Sequence, residues 1–304
     1  MRVSVIIPTY HRSTTIQRAV DSVLSQTLKD IEVIVVDDNG LNTPDGLATQ
    51  QAMSRYKDVH NVIYLQHQNN MNGAVARNTG IKEAKGEYIS FLDDDDIYLP
   101  QRLEKLVDKL DDLDESWGLC YSSYIKNMPN GKLQHSNEKV QGDIFLQVLM
   151  RSFYLGSGTN LFVRRKVIDE IGFFDETFRR NQDLEFLVRA TKNFKTAFVD
   201  EILMEINFDI RTSNLSFFDQ QKREELFRNK FSKYLNDLDN MSSYAVTIMW
   251  NIDWIRLCIE NEKYFEAIKY MFKVRIPIKI YFSYFLYVIS RCKNRISYGF
   301  IVKL

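Results

Sequence analysis

Apolar and polar positions alternate along the first hundred residues in a way that predicts strands and helices in turn. Residues 3–7 (VSVII) form a short apolar run of the kind a fully buried parallel strand requires, and Pro8 is expected to end it. Ser13 or Thr14 can cap a helix in which Ile16, Ala19, Val20, Val23 and Leu24 fall on one face. A second strand at 31–36 runs into Asp37 and Asp38. A further strand at 62–65, a helix at about 74–84 and a strand at 88–92 follow, ending at Asp93. Strands alternating with helices imply a parallel sheet with right-handed crossovers. The class is therefore α/β, a Rossmann-like, mostly parallel sheet flanked by helices.

Pro100 suits the first turn of a helix carrying Leu103, Leu106, Val107, Leu110 and Leu113 on one face. Mixed strands and helices are expected from 117 to 206: strands at 118–125, 159–163, 195–199 and 202–206, and a helix at 182–191. Beyond Phe217 the periodicity is helical throughout, so a C-terminal helical extension is expected. There is no internal repeat.

Composition narrows the function. In 304 residues, 40 Lys and Arg balance 40 Asp and Glu, which argues against nucleic acid as a partner. The 45% apolar content supports a sizeable core. Cys120, Cys258 and Cys292 lie far apart with no CxxC spacing, as expected of a reduced, cytoplasmic chain. With a strand expected to start near Arg2 no leader is expected, and the eleven residues 280–290 are too short an apolar stretch to span a membrane.

Ligands of such sheets bind at the carboxyl ends of the strands. Here those ends carry Thr9 and Tyr10, Asp37 and Asp38, and the run Asp93, Asp94, Asp95, Asp96. Four adjacent carboxylates repel one another, so a cation or an arginine is expected beside them. Hard oxygen donors suit Mg²⁺ or Mn²⁺ bridging a diphosphate. Ile97 and the residues after it break both the DDxxD spacing of prenyl-diphosphate sites and the calcium-loop pattern. Neither G-x-G-x-x-G nor a P-loop occurs, which leaves strand-end carboxylates to receive a nucleotide.

In order along the chain, VSVIIPTYHR (3–12), SVLSQT (22–27), EVIVVDDNG (32–40), ARNTGI (76–81), GEYISFLDDDDIYLP (86–100) and IGFFDE (171–176) resemble the family 2 glycosyltransferases. The resemblance runs through roughly the first 215 residues. It implies a GT-A fold and an inverting, metal-dependent transfer from a nucleotide-sugar, usually a UDP-sugar, to a glycan or lipid-linked acceptor of a surface polysaccharide. Residues 1–215 would form the catalytic domain, with 1–100 binding the nucleotide-sugar and 101–215 the acceptor, and 216–304 the helical region.

By the same resemblance, Tyr10, preceded by Pro8 and Thr9, packs on the base and Asp38 recognises uracil. Asp93 and Asp95 stand at the two ends of a DxD motif, Asp94 can reach the ribose, and Asp95 is the metal ligand. Arg77 matches an arginine near the nucleotide; an ion pair with the acidic run explains it equally well. Asn181, Gln182 and Asp183, followed by Glu185 and Arg189, resemble the family's ED-containing helix start with Gln182 in place of Glu. That makes Asp183 the general base, although outside this context an Asp at a helix start reads as a cap. His11 stands where Asn is common. The segment 211–214 corresponds to a loop that closes over the pyrophosphate in relatives. His60, His67 and His135 lack metal-ligand spacing, so core or surface roles are expected.

A non-catalytic sugar-nucleotide-binding or scaffold subunit is the alternative reading. The absence of a Gly-rich N-terminal loop argues against a nucleotidyltransferase. The neutral total hides an asymmetry: residues 261–304 hold nine Lys and Arg against two Glu, a net +7, leaving −7 for the first 260. That basic, aromatic segment fits a helix on an anionic leaflet, which would put the protein on the inner face of the plasma membrane. It fits equally a face packed on the catalytic domain or on a twin subunit.

Overall fold

The computed structural model describes residues 1–128, 131–136, 138–207, 216–294 and 300–302. The described residues fall into two compact units, one drawn from 1–144 and 155–210, the other from 145–154 and 211–304.

The first unit opens with β1 (Val3–Thr9), α1 (Ile16–Leu24), β2 (Ile31–Asp37), α2 (Pro44–Met53), β3 (Val62–Gln66), α3 (Gly73–Glu83) and β4 (Tyr88–Phe91). β1, β2, β3 and β4 are parallel in the spatial order β3-β2-β1-β4. The chain winds outward from β1 to β3 and then crosses back to place β4 on the other side of β1. That reversal creates a switch point between β1 and β4, where their carboxyl ends part and a ligand can enter. Every residue of β2 is buried, as is nearly all of β1. Each buried Val or Ile contributes about 1.5–3 kcal/mol of transfer free energy, so these two strands anchor the core.

Pro8 does not end β1, contrary to expectation. The Leu92 N–H donates to Ile6 O toward β4, and the Asp38 N–H donates to Thr9 O toward β2. Position 8 therefore faces β4 beyond the last β1–β4 pair, Ile6 with Phe91. A missing N–H costs nothing there. The first helix is also capped one residue later than expected, by Thr15, whose hydroxyl donates to Arg12 O and accepts no helix N–H. Helix α2 was not anticipated, because its apolar residues share no face. Thr43, accepting from the Gly46 N–H, and Pro44 in the first turn start it.

Next come β5 (Ile97–Tyr98), α4 (Arg102–Asp111), β6 (Trp117–Asn127) and β7 (Leu133–His135), the last paired with β6. The helix α5 (Phe145–Leu149) belongs to the second unit. The first then resumes with β8 (Phe162–Arg164), α6 (Arg165–Ile171), α7 (Gln182–Asn193) and β9 (Lys195–Asn207). The sheet continues from β4 through β8, β6, β9 and β5. Two details differ from the sequence reading. Residues 158–160 form a 3-10 turn and not the start of a strand, since Ser157 caps the Thr159 N–H and the Asn160 amide donates to Ser122 O and Leu155 O. The two strands expected at 195–206 are one, β9, with a shifted register against β6.

The second unit contains α8 (Phe217–Phe231), α9 (Asn240–Glu260), α10 (Tyr264–Val274) and α11 (Ile278–Asn294). Residues 145–154 join it through contacts that include two strong anchors. Trp250 Nε1 donates to Leu149 O at 2.7 Å, and Arg151 grips Glu224 through two bonds of 2.6 and 2.9 Å. Burial opposes the Glu224 charge, but Arg151 outweighs it and holds the carboxyl below its usual range. Among the described residues, no helix is long and apolar enough to cross a membrane.

Candidate active site

The four aspartates form a tight turn between β4 and β5, closed by the Asp96 N–H donating to Asp93 O at 3.0 Å. Asp93 and Asp96 turn to separate partners, while Asp94 and Asp95 converge on one arginine. Asp93 accepts from Arg77 Nη2 at 2.7 Å. Asp94 and Asp95 share Arg12, whose Nη1 lies 2.8 and 2.9 Å from them. Asp96 faces inward and accepts from the Thr159 hydroxyl at 2.5 Å, the Ser157 hydroxyl at 3.2 Å and the Asn207 N–H at 2.9 Å. The turn is further pinned by Arg18 and Asn207, both donating to Asp95 O.

Arg12 and Arg77 are the arginines paired with these four carboxylates among the described residues, and burial together with the surplus negative charge raises the proton affinities. Burial, with the charges of Asp93 and Asp94, pushes Asp95 up to about 7 against the opposing pull of Arg12. Burial also raises Asp94, and it raises Asp96 far above its usual range with help from Asp93 and Asp95. Burial works against the Arg12 charge, yet its carboxylate neighbours hold the proton more tightly than usual.

On the β1 side, Tyr10 is 47% exposed, and its N–H donates to Asp94 at 3.3 Å. The ring stands edge-on to His11 with centroids 3.9 Å apart, and is open to a planar ligand. Thr9 is buried and Pro8 partly buried beneath it. Asp94 is 4% exposed and directed into the protein, toward Arg12 and the Tyr10 backbone.

Asp38 is 3% exposed and accepts four hydrogen bonds: from His67 and the Met71 N–H on one oxygen, and from Asn70 and the Asn72 N–H on the other. A base N–H would join or displace one of these donors. His67, partly buried, also bonds Thr79 and so links Asp38 to helix α3. Through Asn72, Asp38 sets the start of α3, where the Asn72 side chain caps the Ala74 and Val75 N–H groups.

One turn into α3, Arg77 splits its guanidinium between Asp93 and the side-chain oxygen of Gln182, 3.0 Å away. Asp183 follows at the second position of α7, after Asn181 in a left-handed conformation (φ 57°). A Cβ added at Gly158 would lie 3.7 Å from that of Asp183 and 3.6 Å from Arg77 Nη2. Arg77, Asp93, Gly158, Gln182 and Asp183 thus share one floor. Burial raises the Asp183 pKa, with Arg77 opposing and Asp93 reinforcing. Glu185 and Arg189 play another part: they pair through two bonds of 2.6 and 2.9 Å, and Arg189 holds the carbonyls of Ile171 and Phe173.

Among the described residues no group of three His, Cys, Asp or Glu forms a closed metal cage. An ion would therefore draw on Asp93 and Asp95, each of which has one carboxylate oxygen, Oδ1, on an arginine. That donor set suits Mg²⁺ or Mn²⁺, which keep water and phosphate oxygens in their shells. Arg12, Ser157, Thr159 and Asn207 were not singled out in the sequence. No local sequence pattern marks them, because their partners among the aspartates lie far along the chain. Residues 211–214 lie outside the described residues.

The model of glycosyl transferase family 2 matches residues 4–172, more than half of the chain. The chain belongs to glycosyl transferase family 2. This glycosyltransferase is 31% identical over 234 residues to an uncharacterized glycosyltransferase of Rickettsia typhi, covering 74% of this chain and 70% of the relative. An uncharacterized glycosyltransferase of Methanocaldococcus jannaschii is 27% identical over 226 residues, covering 72% and 75%.

Two solved structures share its architecture. S. aureus TarS 1-349 in complex with UDP-GlcNAc has a TM-score of 0.64 at 20% identity, covering 81% of this chain and 70% of that one. The mannosyltransferase PcManGT from Pyrobaculum calidifontis, in complex with GDP-Man and Mn²⁺, has a TM-score of 0.59 at 16% identity, covering 97% and 81%. The glycosyltransferase has the GT-A fold, a curled, mostly parallel sheet with flanking helices, followed by C-terminal helices.

Proposed function

We propose that this glycosyltransferase transfers a sugar from a UDP-sugar to a glycan or lipid-linked glycan of a surface polysaccharide, with inversion at the anomeric carbon and Asp183 as general base. The observation that carries this reading is Arg77, bound to Asp93 on one side and to the Gln182–Asp183 helix start on the other. A diphosphate beside Asp93 would then lie within reach of the same cation that borders Asp183. Nucleotide-sugars bound to the structurally similar TarS and PcManGT support this class of donor.

In this reading the base stacks on Tyr10 above Pro8 and Thr9, while Asp38 meets the uracil edge and holds the loop beside it. Asp94 keeps the Tyr10 turn in place next to the ribose. Asp95, with Asp93, would hold a Mn²⁺ or Mg²⁺ ion, which when bound neutralises diphosphate charge and eases departure of UDP. The acceptor oxygen forms its bond to the anomeric carbon from the face opposite UDP, and its proton passes to Asp183. The bond to the diphosphate oxygen breaks with its electron pair, and Arg77 receives part of that charge. A carboxyl raised by burial is the better base near neutral pH. Residues 101–215 would receive the acceptor.

The test is turnover of UDP-sugars by the whole chain with Mn²⁺, followed through UDP release and transfer to a glycan acceptor. Asp183→Asn should lower kcat by on the order of 10²–10⁴ while leaving donor affinity within a few-fold. Unchanged transfer would remove Asp183 as the base. A wild-type chain that binds UDP-sugars but transfers none would favour the scaffold reading.

A further inference from the structure

Helix α11 is apolar on its exposed face as well as on its buried one, where Ile280 is 4% exposed. Tyr284 and Tyr287 point inward and meet Phe300, with ring centroids 5.0 and 5.3 Å apart. Ile278, Phe282, Phe285, Leu286 and Ile289 are each at least half exposed, Ile278 at 86%. Their spacing of i, i+4, i+7, i+8 and i+11 lines them up in one stripe about 17 Å long. Lys279 and Lys293 are exposed near its two ends. Helix α10 repeats the pattern on a smaller scale, with Phe265 at 76%, Ile268 at 54% and Phe272 at 82% exposed beside exposed Lys269 and Lys273.

Large apolar stripes facing solvent mark a surface that something covers. The charge pattern selects what. From 261 to 294 there are seven Lys and Arg and two Glu. A two-fold contact with a second copy is self-complementary, so it would set this cationic surface against itself. An anionic lipid leaflet reverses that balance: its headgroups attract the lysines while the Phe and Ile side chains enter the acyl boundary.

We propose that α10 and α11 dock this glycosyltransferase on an anionic membrane surface, lying in the interface without crossing it. The proposal does not depend on the assignment of Asp183 or on the identity of the acceptor.

The whole protein should co-sediment with vesicles of phosphatidylcholine and phosphatidylglycerol (7:3) at least tenfold more strongly than with phosphatidylcholine alone, and 0.5 M NaCl should remove most of the difference. The double variant F282E/F285E, altered only at exposed positions, should lose at least tenfold of this binding with Tm and UDP-sugar hydrolysis in solution unchanged. The variant K269Q/K273Q/K279Q/K293Q should lose the preference for anionic lipid. Absence of vesicle binding by the wild type would overturn the proposal, as would full binding by F282E/F285E. Lipid-free dimers in sedimentation velocity that F282E/F285E dissociates would overturn it in favour of a second copy.

Discussion

Arg77 donates to Asp93 at 2.7 Å and so ties helix α3 to the acidic turn after β4. A second amino group reaches Gln182 at 3.0 Å, so one planar cation spans two structural elements. Lysine cannot reproduce that fork. Both Arg77→Lys and Arg77→Ala should lower kcat/KM by about 10²–10³, the range for removing one donor that stabilises developing charge. Equal activity in the lysine variant would reduce Arg77 to a simple positive charge.

Gln182 offers a sharper probe, because Gln182→Glu keeps the shape and adds a charge. A carboxylate there would pair with Arg77 and take from it part of the charge available to a diphosphate. UDP affinity by calorimetry should fall about tenfold, which corresponds to about 1.4 kcal/mol. The added negative charge would also raise Asp183 further, moving the acid limb of the kcat/KM profile to higher pH. Gln182→Ala should shift neither limb, which separates the effect of charge from the loss of a hydrogen bond.

These residues also show where sequence reasoning reached its limit. The strand ends were legible because buried parallel strands are continuous apolar runs, so Thr9, Asp38 and Asp93 could be placed on one edge of the sheet from the residue pattern. The charge of the acidic run forecast a cation, and Arg77 was one of the residues named near it. Arg12 was missed because its partners lie 82 and 83 positions away, a separation no local pattern encodes. Thr159 and Asn207 were missed for the same reason, and because neutral donors leave no charge signature. Helix α2 escaped notice since it begins through Thr43 and Pro44 and not through an apolar stripe.

Arg12 should matter to stability as much as to chemistry. Its removal leaves Asp94 and Asp95, 4% and 9% exposed, without their cation. Arg12→Gln should cost on the order of 2–4 kcal/mol in urea unfolding at pH 8, the scale for stripping one partner from a largely buried charge cluster. At pH 5.5 the loss should be smaller, since Asp95, raised to about 7 even with Arg12 present, is then protonated. Equal losses at both pH values would show that Arg12 packs more than it compensates charge.

Gly156 supports the same turn from behind. It adopts φ +92°, and an added Cβ would come within 2.5 Å of the Tyr124 ring. The next residues, Ser157 and Thr159, are the ones that hold Asp96. Gly156→Ala should therefore destabilise the protein by about 2–4 kcal/mol, from backbone strain and overpacking together. Metal-dependent activity should weaken as well, as the grip on Asp96 loosens. A variant with wild-type Tm and activity would show that the Tyr124 ring moves aside at little cost.

The acidic turn makes a signed prediction about pH. Asp95 keeps its proton to about 7 in the folded protein but releases it near the usual carboxylate range when unfolded, at 3.8. Between those values the folded state binds more protons than the unfolded state, so the contribution of Asp95 to stability declines as pH rises from about 4 to 7. Asp94 and Asp96 are shifted in the same direction and add to the decline. A divalent cation competes with the Asp95 proton, so its affinity should fall by up to about tenfold per pH unit below 7 and level off above it. Thermal melts at pH 5.5, 6.5, 7.5 and 8.5 with and without MnCl₂ should show a Mn²⁺-induced rise in Tm that grows to pH 7.5 and then holds. Asp95→Asn removes both the titrating proton and the anionic ligand, so its melts should be flatter with pH and nearly insensitive to Mn²⁺. A Mn²⁺ response in Asp95→Asn as large as in the wild type would place the ion on other ligands.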